Sequence, residues 1–338
     1  MIAEAITALV GHRDLTAEEA GAVMREILEG GATPAQIGSF LTAMRMKGET
    51  VPEIAGCVQA MREASVAIAP RVASPLVDTC GTGGDRAGTF NISTAAAFVA
   101  AGAGVPVVKH GNRGVSSGCG SADVLATLGI DLALTPARAQ AVLEEIGIVF
   151  LYAPTYHPAL RRAAGPRGEI GIRTIFNLLG PLANPAGAQA QLVGVYAPEL
   201  VTTVAGVLRD LGVERAMAVH GGGLDEISTT GPTTVAELRD GTVLTFDIRC
   251  EDFGFRPASL HDLRGGDAAV NAAILREVLA GAPGPARDIV LLNAGAAIYL
   301  GGKSRTLIDG VSAAERSIDS GRAFEKLQSL VRASGGAV

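Results

Sequence analysis

Asp78-Thr79-Cys80-Gly81-Thr82-Gly83-Gly84-Asp85 follows the apolar pair Leu76-Val77, and this passage from a short strand into a glycine-rich loop governs the reading of the whole chain. Glycines at 81, 83 and 84 let backbone N–H groups approach an anion, because no Cβ stands in the way. Two common glycine-rich sites are excluded. A dinucleotide fingerprint continued from Gly81 and Gly83 needs glycine at 86, where Arg86 stands, and no Gly-Lys-Ser/Thr follows to make a nucleoside-triphosphate loop. A plain strand-terminating turn stays open on the glycines alone. Asp85 weighs against it, since a carboxylate beside a phosphate is repulsive unless a metal ion lies between them.

Downstream, the texture repeats. Helix 93–103 leads to a strand at 105–109, which again runs into a glycine-rich loop. Further strands are expected at 148–153, 191–196, 215–220 and 243–248, with helices at 122–128, 137–146 and 199–211. Strands alternating with helices predict an α/β unit with a mostly parallel central sheet. Two long helices, around 268–279 and 313–333, close the chain. Upstream of Pro75 no strand pattern appears. Thr16-x-x-Glu19, Thr33-Pro34-x-Gln36 and Thr50-x-Pro52-Glu53 each read as a helix start with a reciprocal cap. Ile37, Phe40, Leu41 and Met44 then follow the stripe of an amphipathic helix. The N-terminal portion is therefore a small all-helical unit. A segment at 166–185, bounded by the breakers Gly165-Pro166 and Asn184-Pro185, separates the two halves of the strand-helix pattern.

Composition narrows the function classes. The chain has 338 residues, 48% apolar and 18% charged, with a net charge of -6. It shows no run of Lys or Arg, which argues against a nucleic-acid-binding protein. The sparse surface charge suits a chain that covers part of its surface with a second subunit. No apolar stretch reaches the roughly 18 residues of a membrane span, and the start carries Glu4 and no basic n-region, so it does not read as a signal peptide. Cys57, Cys80, Cys119 and Cys250 lack metal-ligand spacing and suggest no disulfide framework, so the expected location is cytoplasmic.

Three further segments carry chemistry. Asn91-Ile92-Ser93-Thr94 opens a helix, either as a structural cap or as an anion site at free N–H groups, and the Ser93 hydroxyl has the chemistry of a metal ligand. Lys109-His110-Gly111-Asn112-Arg113-Gly114-Val115-Ser116-Ser117 lies at a strand's carboxyl end, with many donors and no acid, and reads as an anion site rather than a solvated loop. His220-Gly221-Gly222-Gly223-Leu224-Asp225-Glu226 offers two adjacent carboxylates, a solvated loop or a Mg²⁺ site. No nucleophilic triad or zinc set appears. His12, His157 and His261 are isolated in the sequence and read as structural or exposed.

These loops together resemble the anthranilate phosphoribosyltransferases of tryptophan biosynthesis. DTCGTGGD at 78–85, FNIST at 90–94, KHGNRGVSS at 109–117, GIRTIFNLLGPLANP at 171–185 and HGGGLDEIS at 220–228 stand in family order, and 265–279 and 286–300 look like the family's C-terminal portion. The resemblance implies a small helical domain, 1–72 plus about 168–184, and a large α/β domain, 73–167 and 185–338, with the active site in the cleft between them. It implies a homodimer joined through the helical domains, the substrates anthranilate and phosphoribosyl pyrophosphate, and Mg²⁺, two ions per subunit. By position it places phosphoribosyl pyrophosphate on Gly81, Gly84, Asp85, Thr89, Asn91, Ile92, Ser93 and Thr94. The same substrate would meet Lys109, His110, Gly111, Asn112, Arg113, Gly114, Val115, Ser116, Ser117 and Ser121. Anthranilate falls on Gly81, Asn112 and Arg167, and the metal on Ser93, Asp225 and Glu226. No general base is expected. The chain departs from the family pattern at Gly114, Gly118 and Gly168. The rival readings are a pyrimidine nucleoside phosphorylase and a non-catalytic nucleic-acid-binding relative of the same fold.

Overall fold

The structure is a computed structural model that describes residues 1–114 and 118–336. Four helices come first: α1 (Ile2–Val10), α2 (Ala17–Glu29), α3 (Pro34–Lys47) and α4 (Val51–Glu63). The first two expected caps form in full, while at the third the Thr50 hydroxyl donates to Glu53 instead of accepting from a backbone N–H. Glu19 N–H donates to the Thr16 hydroxyl at 3.1 Å while Thr16 N–H donates to the Glu19 carboxylate at 2.8 Å. Thr33 and Gln36 repeat the exchange at 3.3 and 2.9 Å. At the third start the carboxylate does more. Glu53 is fully buried and accepts from Thr50 N–H, from the Thr50 hydroxyl, from Leu15 N–H at 2.8 Å and from Lys47 Nζ at 3.0 Å. It pins three parts of the bundle together. Helices α2 and α4 approach so closely that a Cβ on Gly56 would collide with the backbone of Ala17.

Seven strands follow: β1 (Val77–Gly81), β2 (Val107–Gly111), β3 (Ile148–Tyr152), β4 (Ala190–Gly194), β5 (Arg215–Gly221), β6 (Thr233–Arg239) and β7 (Thr242–Ile248). They form one sheet in the order β3-β2-β1-β4-β5-β6-β7. β1 to β5 are parallel, and β6 and β7 join antiparallel. The mostly parallel sheet is as expected, but β6 was not. Its signal was present: alternating Thr233 to Arg239, then Asp240-Gly241, both at positive φ (51° and 75°), the dipeptide of a tight hairpin. The connections leave β1 in opposite directions, toward β2 and β3 on one side and β4 and β5 on the other. This switch point, at the carboxyl ends of the strands, is where open α/β sheets bind ligands.

The helices among the strands are α5 (Ile92–Gly102), α6 (Ser121–Thr127), α7 (Pro136–Ile146), α8 (Ala153–Tyr156), α9 (Arg161–Ile170), α10 (Phe176–Leu182) and α11 (Leu200–Asp210). α12 (Ala268–Leu279), α13 (Pro285–Leu300), α14 (Leu307–Asp319) and α15 (Arg322–Ser334) finish the chain. Two expectations are corrected here. The single helix at 313–333 is two, broken at Gly321, whose φ of 77° leaves the helical region. Pro166, expected as a breaker at the start of the 166–185 segment, lies inside α9, while Asn184-Pro185 does follow the end of α10. One apolar core packs α5, α7 and α13 to α15 against β1 to β3. The other joins the four N-terminal helices to α9, α10, α11 and residues of β4 and β5. The bundle is thereby seated beside the carboxyl edge through α9 and α10.

Candidate active site

β1 ends on Gly81 and its neighbour β4 ends on Gly194, paired at the same level. A Cβ on Gly81 would strike the Asp225 carboxylate, and one on Gly194 would strike the Asp225 backbone. These two glycines let the loop after β5 lie across the switch point. Gly83 N–H then donates to Asp225 Oδ2 at 2.7 Å, and the Asp85 carboxylate lies close enough to the same group to repel its charge. Glu226 accepts from Ser93 N–H at 3.2 Å, in the first turn of α5. From β2, the buried Lys109 ammonium donates to the Thr79 carbonyl and to Ser93 Oγ (3.2 Å). The loop after β1, the start of α5, the end of β2 and the loop after β5 thus meet at one place.

Charge is crowded there. Burial, then the charge of Asp85, pushes the Asp225 carboxyl up to about 7. Burial and Asp225 raise Glu226 well above the carboxylate range, against the pull of Lys109. Burial lowers Lys109, opposed by Asp78, Glu226 and Asp225. Beneath the site Asp78, fully buried and raised to about 6 by desolvation, is held by Asn184 Nδ2 at 2.7 Å and His110 N–H at 3.3 Å. Like charges forced together by burial are what a divalent cation relieves. The oxygens of Asp85, Ser93, Asp225 and Glu226 are the hard donors that Mg²⁺ takes. Among the described residues no three carboxylate, imidazole or thiol groups form a ready-made cage. Mg²⁺ itself is commonly held by one or two carboxylates, with water and substrate phosphate completing its shell.

The other expected residues are placed as follows. Asn91 makes no side-chain cap on α5. Its amide instead donates to the Cys119 carbonyl (3.2 Å) and accepts from Asn271 Nδ2 (3.0 Å), so of the two readings of this segment the simple cap fails. Thr89 bridges to Arg264, Ile92 is core, and the buried Thr94 hydroxyl has no partner among the described residues. In the loop after β2, Asn112 Oδ1 accepts from Arg113 N–H at 2.8 Å, and Ser121 Oγ lies 3.4 Å from the Asn112 carbonyl. Arg113 pairs with Asp123 at 2.8 Å, and Gly114 N–H donates to the same carboxylate. Val115, Ser116 and Ser117 lie outside the described residues. His110 is buried with its ring 5.1 Å from that of His157, so His157 is not isolated in space. Arg167 stands on α9 with its guanidinium 4.8 Å over the Phe176 ring.

Residues 73–324 match the family model described as the α/β domain of a glycosyl transferase family, and residues 3–65 match its helical bundle domain. Anthranilate phosphoribosyltransferase of Methanocorpusculum labreanum is 56% identical over 336 residues, 99% of each chain. The chain belongs to the anthranilate phosphoribosyltransferase family. The crystal structure of the Thermus thermophilus enzyme superposes with a TM-score of 0.93 at 42% identity, covering 98% of this chain and 99% of that one. The Saccharomyces cerevisiae enzyme in complex with PRPP and Mg follows at 0.90 and 28% identity, covering 99% and 98%.

In this phosphoribosyltransferase several supporting residues escaped the sequence reading. Asp78 and Asn184 both sit inside quoted motifs, yet only the fold shows that they bond each other across 106 positions. Asp123 holds both stems of the loop after β2, through Gly114 N–H at 2.9 Å and Gly120 N–H at 3.0 Å. Its acidic place in the first turn of α6 was the available signal. Arg173 donates to the Gly84 carbonyl and lies over the Tyr196 ring, a contact that no local pattern announces.

Proposed function

We propose that this chain, an anthranilate phosphoribosyltransferase, moves the phosphoribosyl group of phosphoribosyl pyrophosphate to the amine of anthranilate at the carboxyl edge of β1, β2 and β5. The observation that carries this reading is the meeting of Asp85, Asp225 and Glu226 with Ser93 and Lys109 beside a glycine loop. The pyrophosphate ester would lie on Gly81, Gly84, Asp85, Thr89 and the residues from Asn91 to Thr94, and would also meet those from Lys109 to Ser117 and Ser121. Ser93, Asp225 and Glu226 would hold Mg²⁺, two ions per subunit, and the ions would neutralise charge building on the leaving pyrophosphate.

In the reaction the C1–O bond to pyrophosphate breaks as the nitrogen–C1 bond forms, and the acidic anilinium so formed gives its proton to solvent water or to the departing pyrophosphate. An arylamine is unprotonated at neutral pH, so positioning and charge stabilisation supply the rate, and no strong base is needed. Gly81, Asn112 and Arg167 would hold anthranilate. Burial lowers the Arg167 pKa, and among the described residues no hydrogen bond or ion pair engages its guanidinium. Such a cation suits a carboxylate.

The proposed domains are 1–72 with about 168–184, and 73–167 with 185–338; closure between them would keep water from C1. A homodimer through the helical domain is supported by a groove of about 730 Å³ between α1, α3 and α9, lined by Ile6, Val10, Pro34, Met46 and Ile170. Met46 and Val10 are exposed there, two large apolar side chains on the lining of one groove. Among the described residues no helix is long and apolar enough to cross a membrane. We place the enzyme in the cytoplasm.

The deciding assay measures pyrophosphate release with anthranilate, phosphoribosyl pyrophosphate and Mg²⁺, against phosphate-dependent cleavage of thymidine or uridine. Release that needs all three components is expected. Nucleoside cleavage without it would transfer the site to a phosphorylase.

A further inference from the structure

The glycine loop after β1 is tied down from several sides. Thr82 N–H donates to the Gly194 carbonyl (2.9 Å), Tyr196 N–H to the Thr82 hydroxyl (3.1 Å), and Gly83 N–H to Asp225 (2.7 Å). These ties come from the ends of β4 and β5. The Gly84 carbonyl is held differently, by the Arg173 guanidinium. Among the described residues Arg173 is the one side chain between α9 and α10 that hydrogen-bonds this loop. The guanidinium also lies 4.4 Å over the Tyr196 ring. Gly84 has φ of 82°, and a Cβ there would come within 3.2 Å of Arg173.

A glycine peptide at such a φ rotates easily, and a planar peptide turns its carbonyl and the next N–H in opposite directions. Fixing the Gly84 carbonyl therefore fixes the direction of the Asp85 N–H. Arg173 does this from the segment that follows Arg167 on α9 directly. We infer that Arg173 is a positioning residue that couples the phosphate loop to the α9–α10 segment, so that filling the loop orders the acceptor side of the site. This rests on the proposed places of phosphoribosyl pyrophosphate and Arg167. Arginine suits the task because its planar fork stacks on the ring and donates at its edge, which an ammonium does not do.

The test is two-substrate steady-state kinetics at saturating Mg²⁺ on wild type, Arg173→Gln, Arg173→Lys and Tyr196→Leu, with thermal melts alongside. Arg173→Gln is expected to raise the KM for phosphoribosyl pyrophosphate about 10-fold, the scale of one charge-assisted hydrogen bond. Anthranilate KM is expected to fall in wild type as phosphoribosyl pyrophosphate is raised, and Arg173→Gln to abolish this fall; a wild type that turns over with no such fall overturns the inference. Arg173→Lys should recover only part of this, and Tyr196→Leu should weaken the coupling in the same direction. A phosphoribosyl pyrophosphate KM within twofold of wild type in Arg173→Gln, with the coupling intact, overturns the inference. Should Arg173→Gln fail to fold, intact coupling in Tyr196→Leu overturns it equally. A wild type that releases no pyrophosphate removes the functional reading itself, a different result from active variants with unchanged coupling.

Discussion

At the scale of single residues, what a side chain lacks is as telling as what it holds. Arg167 has a ring beneath it but no counter-charge among the described residues. Arg167→Ala is expected to raise the anthranilate KM about 10- to 100-fold, a charged hydrogen bond's worth, with little change for the other substrate; an unchanged anthranilate KM would remove it from the site. Asp225 carries charge that raises Glu226, and both are proposed metal ligands, so the pair Asp225→Asn and Glu226→Gln should lower Mg²⁺-dependent turnover about 100-fold or more. Near-normal rates at limiting Mg²⁺ would sink the metal assignment. The histidine pair gives a pH signature. Burial lowers His157 to about 4, so between that value and the unfolded pKa the unfolded state binds the extra proton, and stability falls as pH falls through this window. The loss is about 3 kcal/mol in full, and urea titrations at pH 7 and 4.5 should show a smaller drop for His157→Gln. The residue types in the site were legible because metals and phosphates demand them. Their backbone was less so. Arg86, which excluded the dinucleotide fingerprint, sits at φ of 62°, in the region where that fingerprint would put glycine.

At the scale of elements, the helices that announced themselves did so through local chemistry. A cap is a bond between residues three apart, and Thr16-Glu19 and Thr33-Gln36 needed nothing else. Glu53 shows the limit. Its sequence promises a cap, while the structure makes it the buried partner of Lys47, whose side chain is 5% exposed. Glu53→Ala should therefore cost about 2–3 kcal/mol, because it leaves the buried Leu15 N–H unpaired and removes one of the two carboxylates on Lys47, Asp14 remaining at 2.7 Å, rather than the ~1 kcal/mol of a cap. Gly56→Ala should cost about 1–3 kcal/mol by forcing α4 away from α2. Denaturant midpoints check both. α13 was hidden for the opposite reason: it is buried on every side from Ile289 to Leu300, so it carries no polar stripe to reveal its period.

At the scale of the whole molecule, the apolar groove on the helical unit predicts an association that Met46→Glu should disrupt, shifting the mass in light scattering from dimer to monomer; a dimer undisturbed by that change would place the interface elsewhere. The same scale separates the two sources of information in this protein. Sequence alone determined the α/β alternation, the caps, the glycine loops and the chemical types of the site, since each is a short-range pattern or an individual side chain's chemistry. It also carried the family, because several motifs stand in order. Only the tertiary structure decided that the strands run β3-β2-β1-β4-β5-β6-β7, that Gly81 and Gly194 open a path for Asp225, and that Arg173 reaches Gly84. Those contacts join residues far apart in the chain. Their partners are chosen by sheet order and by where a Cβ would collide, which no local pattern records.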